Sequence, residues 1–84
     1  MDTGILTKHH VRFFGPALTR RSRGALSAAS ITLVERRPAP SWGNQLQEYL
    51  VLLDARTDDD AVARVRRVID EHGSYAGFEP ASVN

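Results

Sequence analysis

The segment QEYLVLLDART is apolar on both faces if it forms a strand, because strand side chains point alternately to opposite sides. Leu50 and Leu52 lie on one face, and Tyr49, Val51 and Leu53 lie on the other. Each apolar face needs a cover, and a chain of 84 residues has little material for two. The sequence therefore predicts that one face of this strand is covered by something other than the domain's own helices.

Three further segments have the composition of strands. KHHVRFFG is rich in β-branched and aromatic residues and stops at Gly15-Pro16, where proline is free to open a helix. ITLVERR alternates apolar and polar residues and stops before Pro38. YAGFEPASV contains Pro80, which places it at a sheet edge or ends it early.

Two segments show helical spacing. TDDDAVARVRRVIDEHG has Thr57 as its N-cap, three aspartates in the first turn, where the helix dipole favours negative charge, and Gly73 at its end. Apolar or small residues also recur at helical spacing from Ala17 to Ala29. Gly24 weakens this second helix, so an irregular loop or a hairpin is the alternative.

The resulting order is β-α-β-β-α-β, which is typical of a ferredoxin-like sandwich: an antiparallel sheet with two helices on one face. Residues 8–84 are expected to form a single α+β domain. Residues 1–7 are expected to be a flexible N-terminal arm, since they hold Gly4 and only a brief apolar pair. In this arrangement Leu50 and Leu52 meet the helices. The inferred order also resembles that of dimeric α+β barrel proteins, although no motif identifies a family.

The opposite face of the sheet is expected to be an association surface, because an uncovered apolar face is uncommon on a monomer. The simplest cover is a second copy, packed face to face about a two-fold axis. Another protein, the N-terminal arm or a different topology are alternatives, and a one-residue error in register would exchange the two faces. Trp42 either folds back on the core or anchors a partner. The predicted partner-binding residues are Phe14, Val34, Trp42, Tyr49, Val51 and Leu53.

Charge is unevenly distributed along the chain, although the net charge is only +1. Residues 8–37 contain seven basic residues and one acid, whereas residues 38–84 contain four arginines and eight acids. A basic cluster can contact phosphates, so nucleic-acid binding, to RNA or DNA, is the alternative function. Against it, the third strand lacks the basic and aromatic pattern of an RNA-recognition motif. The candidate anion-binding residues are Arg20, Arg21, Arg23, Arg36 and Arg37.

The sequence offers little for catalysis, metals or cofactors. Cysteine is absent, which excludes disulfides, thiolate metal sites and cysteine nucleophiles. His9 and His10 are neighbours on a strand and point to opposite faces, so they do not converge on one ion. The aspartates of DARTDDD lack the glycine and closing glutamate of a calcium loop. No nucleophile elbow or phosphate-binding glycine loop occurs.

The leading hypothesis is thus a small non-enzymatic interaction or regulatory module that forms a homodimer, without a cofactor. A third hypothesis is a sheet-enclosed cavity that binds or converts a small molecule, with His10 as the base. No apolar run reaches the roughly 20 residues of a membrane-spanning helix, and no secretory signal is evident at the N-terminus. We therefore expect a cytoplasmic protein that does not bind membranes.

Overall fold

A computed structural model describes residues 5–38 and 46–82. Four strands form one antiparallel sheet in the order β2-β3-β1-β4, so β1 and β3 are central. The α+β class, the four-stranded antiparallel sheet and the two helices are confirmed. The elements, in chain order, are β1 (Thr7–Gly15), α1 (Arg20–Ala28), β2 (Thr32–Pro38), β3 (Gln47–Ala55), α2 (Asp58–Ile69), a 3₁₀ turn (Asp70–His72) and β4 (Ala76–Ala81).

The core lies on the sheet face that the sequence pattern left uncovered. Tyr49 and Val51 have no exposed surface, and Leu53 is 2% exposed. Both helices cover this face, because the core cluster also contains Leu26 of α1 and Ala61, Val65 and Ile69 of α2. The prediction that Tyr49, Val51 and Leu53 are exposed for association is therefore wrong.

Cross-strand partners explain why this face is the buried one. Val51 pairs with Val11 and Tyr49 pairs with Phe13, which places apolar residues of both central strands together. Leu50, in contrast, pairs with Arg12. Because β3 is apolar on both faces, its own alternation cannot choose between them, and the neighbouring strand decides.

Helix α1 is shorter than predicted: it begins at Arg20, with Thr19 as its N-cap, rather than at Ala17. The Thr19 hydroxyl accepts a hydrogen bond from the Ser22 backbone N–H (3.0 Å), and the Ser22 hydroxyl accepts one from the Thr19 N–H (2.8 Å). This reciprocal capping box satisfies two backbone donors that a helix start leaves unpaired. Ser22 is fully buried whereas Thr19 is exposed, so the capping box lies at the edge of the core.

The C-terminal end of α1 is a Schellman turn. The N–H of Ile31 donates to the carbonyl of Leu26 (2.9 Å), and the N–H of Ser30 donates to that of Ser27 (3.0 Å). Ser30 has a φ of 61°, which is the left-handed conformation that glycine adopts most easily. Leu26 and Ile31 are both buried, so the turn connects α1 to β2 through the core.

Helix α2 begins as predicted. The Thr57 hydroxyl accepts a hydrogen bond from the Asp60 N–H (3.1 Å), and Asp58, Asp59 and Asp60 form the first turn. The helix ends at Ile69, and the 3₁₀ turn carries the chain to Gly73. Asp60 and Thr57 thus have the capping role that the sequence assigned to this segment.

An aromatic cluster fills the core beside β4. The ring of Phe13 lies 5.2 Å from that of Tyr49, 5.7 Å from Tyr75 and 5.5 Å from Phe78, measured between centroids. Tyr75 packs so closely on Gly15 that a Cβ at this position would overlap the ring. These contacts hold the start of β4 against the end of β1. They require glycine at position 15, because a larger residue does not fit under the Tyr75 ring.

Two bulges interrupt the sheet at its outer strands. In β2, Leu33 pairs with Val51 and Glu35 pairs with Leu50, so Val34 is an extra residue without a partner on β3. In β4, Gly77 has a φ of 71° at the point where the register with β1 shifts. A side chain at Gly77 would meet the ring of Phe14 at 2.7 Å, so glycine is required there both by conformation and by space.

Candidate functional site

The sheet surface opposite the helices, called the open face below, is dominated by ion pairs. Arg12 lies at its centre and contacts Glu48 on β3 (3.1 Å) and Glu79 on β4 (2.9 Å). Lys8 contacts Asp54 (3.2 Å). Leu50 and Leu52 lie between these pairs and are half-buried. The open face is therefore a mixed polar surface, and not the apolar patch that the sequence pattern predicts.

Of the six predicted partner-binding residues, the five that the structure describes are not brought together on one surface. Three of them lie in the core, as described above. Phe14 is half-buried on the open face, over Gly77. Val34 is the bulge residue of β2 and is 48% exposed. Trp42 lies outside the described residues.

The five predicted anion-binding arginines divide into two groups. Arg36 and Arg37 are neighbours on β2, so their side chains leave the strand on opposite faces. Arg37 pairs across the strands with Glu48 and contacts Glu35 at 2.7 Å on the open face. A hydrogen bond from Arg37 to Glu35 and the charge of that carboxylate raise the pKa of the guanidinium. The charge of Arg37 is therefore neutralised by Glu35, and its side chain lies on the opposite face of β2 from that of Arg36.

The other four arginines share the absence of an acidic partner, and together we call them the arginine surface. None of them has an ion-pair partner among residues 5–38 and 46–82. All four are exposed, three on α1 and one on β2. The arginine surface consists of Arg20, Arg21, Arg23 and Arg36.

Tyr49 is the cross-strand partner of Arg36, so its ring lies beside β2. Its hydroxyl donates to the carbonyl of Pro16 (2.9 Å). Burial raises the pKa of Tyr49, while a backbone hydrogen bond at Leu18 and the positive charges of Arg36 and Arg23 lower it. Two guanidinium groups from α1 and β2 therefore act on the same phenol, and their fields add where the two elements meet.

The position of these arginines within α1 is unfavourable for the helix itself. Thr19 is the N-cap, so Arg20, Arg21 and Arg23 occupy the first, second and fourth helical positions. The first turn contains no acid. The positive end of the helix dipole repels cations at these positions, at a cost of about 0.3–1 kcal/mol each. A bound anion would meet both the dipole and the guanidinium groups, which together stabilise negative charge.

A groove lies beside the arginine surface, between α1 and β2. Its volume is about 300 Å³. Its floor is aliphatic, Arg23 forms one wall, and the residues that line it are Leu18, Arg23, Leu26, Ser27, Ile31, Thr32 and Leu33. The helical spacing from Ala17 to Ala29 does not reveal the groove, because the groove forms only where the Schellman turn sets β2 beside the helix.

His9 has structural partners, and one of them is an aspartate. The ring of His9 is within hydrogen-bond distance of the Asp58 carboxylate at Nδ1 (2.8 Å) and of the Ala55 carbonyl at Nε2 (3.1 Å). His10 points to the open face, as the strand alternation predicts. Within the described ranges no group of three or more His, Cys, Asp or Glu side chains is arranged to hold a metal ion.

Neither helix of the described ranges has the length and apolarity that crossing a membrane requires. The chain matches no family model, no curated protein and no solved structure.

Proposed function

We propose that this chain binds nucleic acid through the arginine surface. The observation that carries the proposal is that four exposed arginines, from α1 and β2, lack acidic partners in the described chain. The acids of the open face already have cations: Glu48 and Glu79 contact Arg12, and Asp54 contacts Lys8. The positive charge of the first half of the chain is thus only partly compensated, and phosphate is the anion that arginine forks bind best.

The proposed contact is with the phosphate backbone, and it uses the helix layer rather than the sheet. The ion pairs of the open face contain four carboxylates and only three cations, so this face has no excess positive charge to attract phosphates. This distribution of charge favours α1 and β2 as the surface of contact. It also separates the proposal from the RNA-recognition folds that stack bases on an open sheet.

Homodimerisation through the sheet, the leading hypothesis from the sequence, has less support. Its argument depended on an uncovered apolar face, and Tyr49, Val51 and Leu53 are buried beneath the helices. A small interaction module remains compatible with the proposal, since nucleic-acid binding is itself a non-enzymatic function. The ferredoxin-like classification is likewise a proposal, supported by the sheet order β2-β3-β1-β4 with β1 and β3 at the centre.

The test is fluorescence anisotropy with labelled DNA and RNA of about 15 nucleotides, a length within the ~4–16-nucleotide sites of small nucleic-acid-binding folds, at several salt concentrations. Phosphate contacts release counterions, so the logarithm of the affinity should fall linearly with the logarithm of the salt concentration, by about 0.7 per single-strand contact. The double variant Arg20→Gln/Arg23→Gln should bind more weakly, and its salt slope should be shallower by about 1.4.

The matched control is Arg56→Gln/Arg66→Gln, which removes the same charge from residues near α2. Arg56 precedes the N-cap of α2, and Arg66 lies on α2, where it contacts Asp70 (3.9 Å) and the ring of Phe78 on β4. If the arginine surface is the site, this control keeps most of the affinity. Equal losses in the two double variants would show that only net charge matters and would refute a defined site, and no binding to any nucleic acid would refute the proposal itself.

A further inference from the structure

The groove between α1 and β2 is directly connected to the arginine surface, because Arg23 belongs to both. Its floor is aliphatic: Leu26 and Ile31 are buried, and Leu33 is 37% exposed. An apolar floor with the guanidinium of Arg23 at its edge is complementary to a molecule with a flat apolar part and a negative charge. A nucleotide has this chemistry, with a base that can leave water and a phosphate that binds arginine.

On the basis of the proposed function, we infer that the groove takes one unstacked base of a single-stranded nucleic acid, while the arginines bind its neighbouring phosphates. The groove volume of about 300 Å³ lies at the lower end of the range of small-ligand sites, roughly 300–1,000 Å³. It therefore admits one ring system rather than several. In a duplex the bases are paired and stacked, so a duplex offers only its phosphates to this surface.

Polar groups at the rim can recognise the edge of the base. Ser27 and Thr32 line the groove, are exposed and make no side-chain hydrogen bond within the described part of the chain. Hydroxyl groups both donate and accept, so they fit any of the four bases and give little sequence preference. The planar guanidinium of Arg23 can also stack on a base. The inference is thus of a site selective for single strands and tolerant of sequence.

The experiment compares three ligands at one salt concentration: labelled oligothymidylate, an abasic strand of the same length and the corresponding dA·dT duplex. The abasic strand retains every phosphate and loses every base. We expect the base-bearing strand to bind roughly ten-fold more tightly than the abasic one, which is the effect of about 1.4 kcal/mol from a single base contact. Per phosphate, the duplex should bind no more tightly than the abasic strand.

Two variants locate the contact. Leu33→Ala removes exposed apolar surface from the groove and should reduce the difference between the base-bearing and abasic strands to about two-fold or less. Val34→Ala is the control, because Val34 is the next residue, is 48% exposed and does not line the groove. Val34→Ala should leave the difference unchanged.

The outcomes separate this inference from the proposed function. If the abasic and base-bearing strands bind equally, and both lose affinity in Arg20→Gln/Arg23→Gln, the groove inference is overturned and phosphate binding stands. If Leu33→Ala and Val34→Ala affect the difference equally, the groove is also excluded as the base site. If neither strand binds to the wild type, both the inference and the proposed function fail.

Discussion

Tyr75 lies directly over Gly15, with its ring occupying the space that a side chain at Gly15 would need. Gly15 is the last residue of β1, and Tyr75 immediately precedes β4. The contact therefore joins the first strand to the last. It also connects Tyr75, which is 7% exposed, to the ring of Phe13 in the centre of the core.

Replacing Gly15 with alanine should destabilise the protein. The added methyl group would overlap the Tyr75 ring, and overpacking of this kind costs about 1–3 kcal/mol. Gly24→Ala is the matched control, because a Cβ at Gly24 meets no atom within 4 Å and alanine is favoured in a helix by about 0.5–1 kcal/mol. Thermal unfolding should therefore shift in opposite directions for the two variants. A Gly15→Ala protein as stable as wild type would contradict the packing described here.

The two faces of β3 can be distinguished by placing the same charge on each. Val51→Asp should prevent folding or cost several kcal/mol, because Val51 has no exposed surface and an unpaired buried charge is strongly unfavourable. Leu52→Asp should leave a folded protein, since Leu52 is only half-buried and lies on the open face. Circular dichroism and urea unfolding measure both. Loss of folding in Leu52→Asp alone would mean that the faces are exchanged.

Stability should fall at high pH because of the two tyrosines. Burial is the main cause that raises the pKa values of Tyr49 and Tyr75 above the ordinary value of 10.0. Below about pH 10 both the folded and the unfolded states keep the phenol protons. As the pH rises further, the unfolded chain releases its protons first, so the free energy of unfolding decreases.

Melting temperature measured between about pH 9 and 11 checks this dependence. The chain has two tyrosines, so tyrosinate absorbance reports these two groups alone. Tyr49→Phe and Tyr75→Phe should each reduce the slope of melting temperature against pH. Ionisation of both phenols near the ordinary pH in the folded protein would disprove the expected dependence.

The arginines of α1 should destabilise the helix that carries them. Arg20→Gln/Arg23→Gln removes two cations from the positive end of the helix dipole, so we expect a gain of about 0.6–2 kcal/mol in the free energy of unfolding. Such a gain raises the melting temperature of a domain of this size by roughly 2–16 °C. Arg56→Gln/Arg66→Gln should give no gain, because Arg66 contacts Asp70 and the ring of Phe78. A less stable Arg20→Gln/Arg23→Gln protein would show that the dipole argument is wrong.

The sequence was most informative where signals were local. Thr57, the three following aspartates and the regular apolar spacing of α2 all belong to one segment, and the structure has this helix with the predicted cap. Leu50 and Val51 show the limit of such reasoning. Both are apolar and adjacent, so only their partners Arg12 and Val11, distant in sequence, decide which of them is buried.

For the arginines, one part of the arrangement could have been predicted from the sequence, namely the separation of Arg36 from Arg37. Arg36 and Arg37 are consecutive strand residues, and alternation alone sends them to different faces. The position of Arg23 beside β2, where it lines the groove with Thr32 and Leu33, could not have been predicted, since it depends on how the turn at Ser30 sets α1 against β2. The groove depends on the same turn, and no residue pattern within α1 or within β2 predicts it.

The bulge at Val34 has a consequence for how copies of the chain meet each other in concentrated solution. An unbroken outer strand is a template on which a second chain can add a strand and begin a fibril. Here the unpaired Val34 interrupts β2, and the three residues that follow it within the strand are charged. In β4, Pro80 has no N–H to donate. Both borders of the sheet are thereby poor templates, which protects the chain from open-ended aggregation.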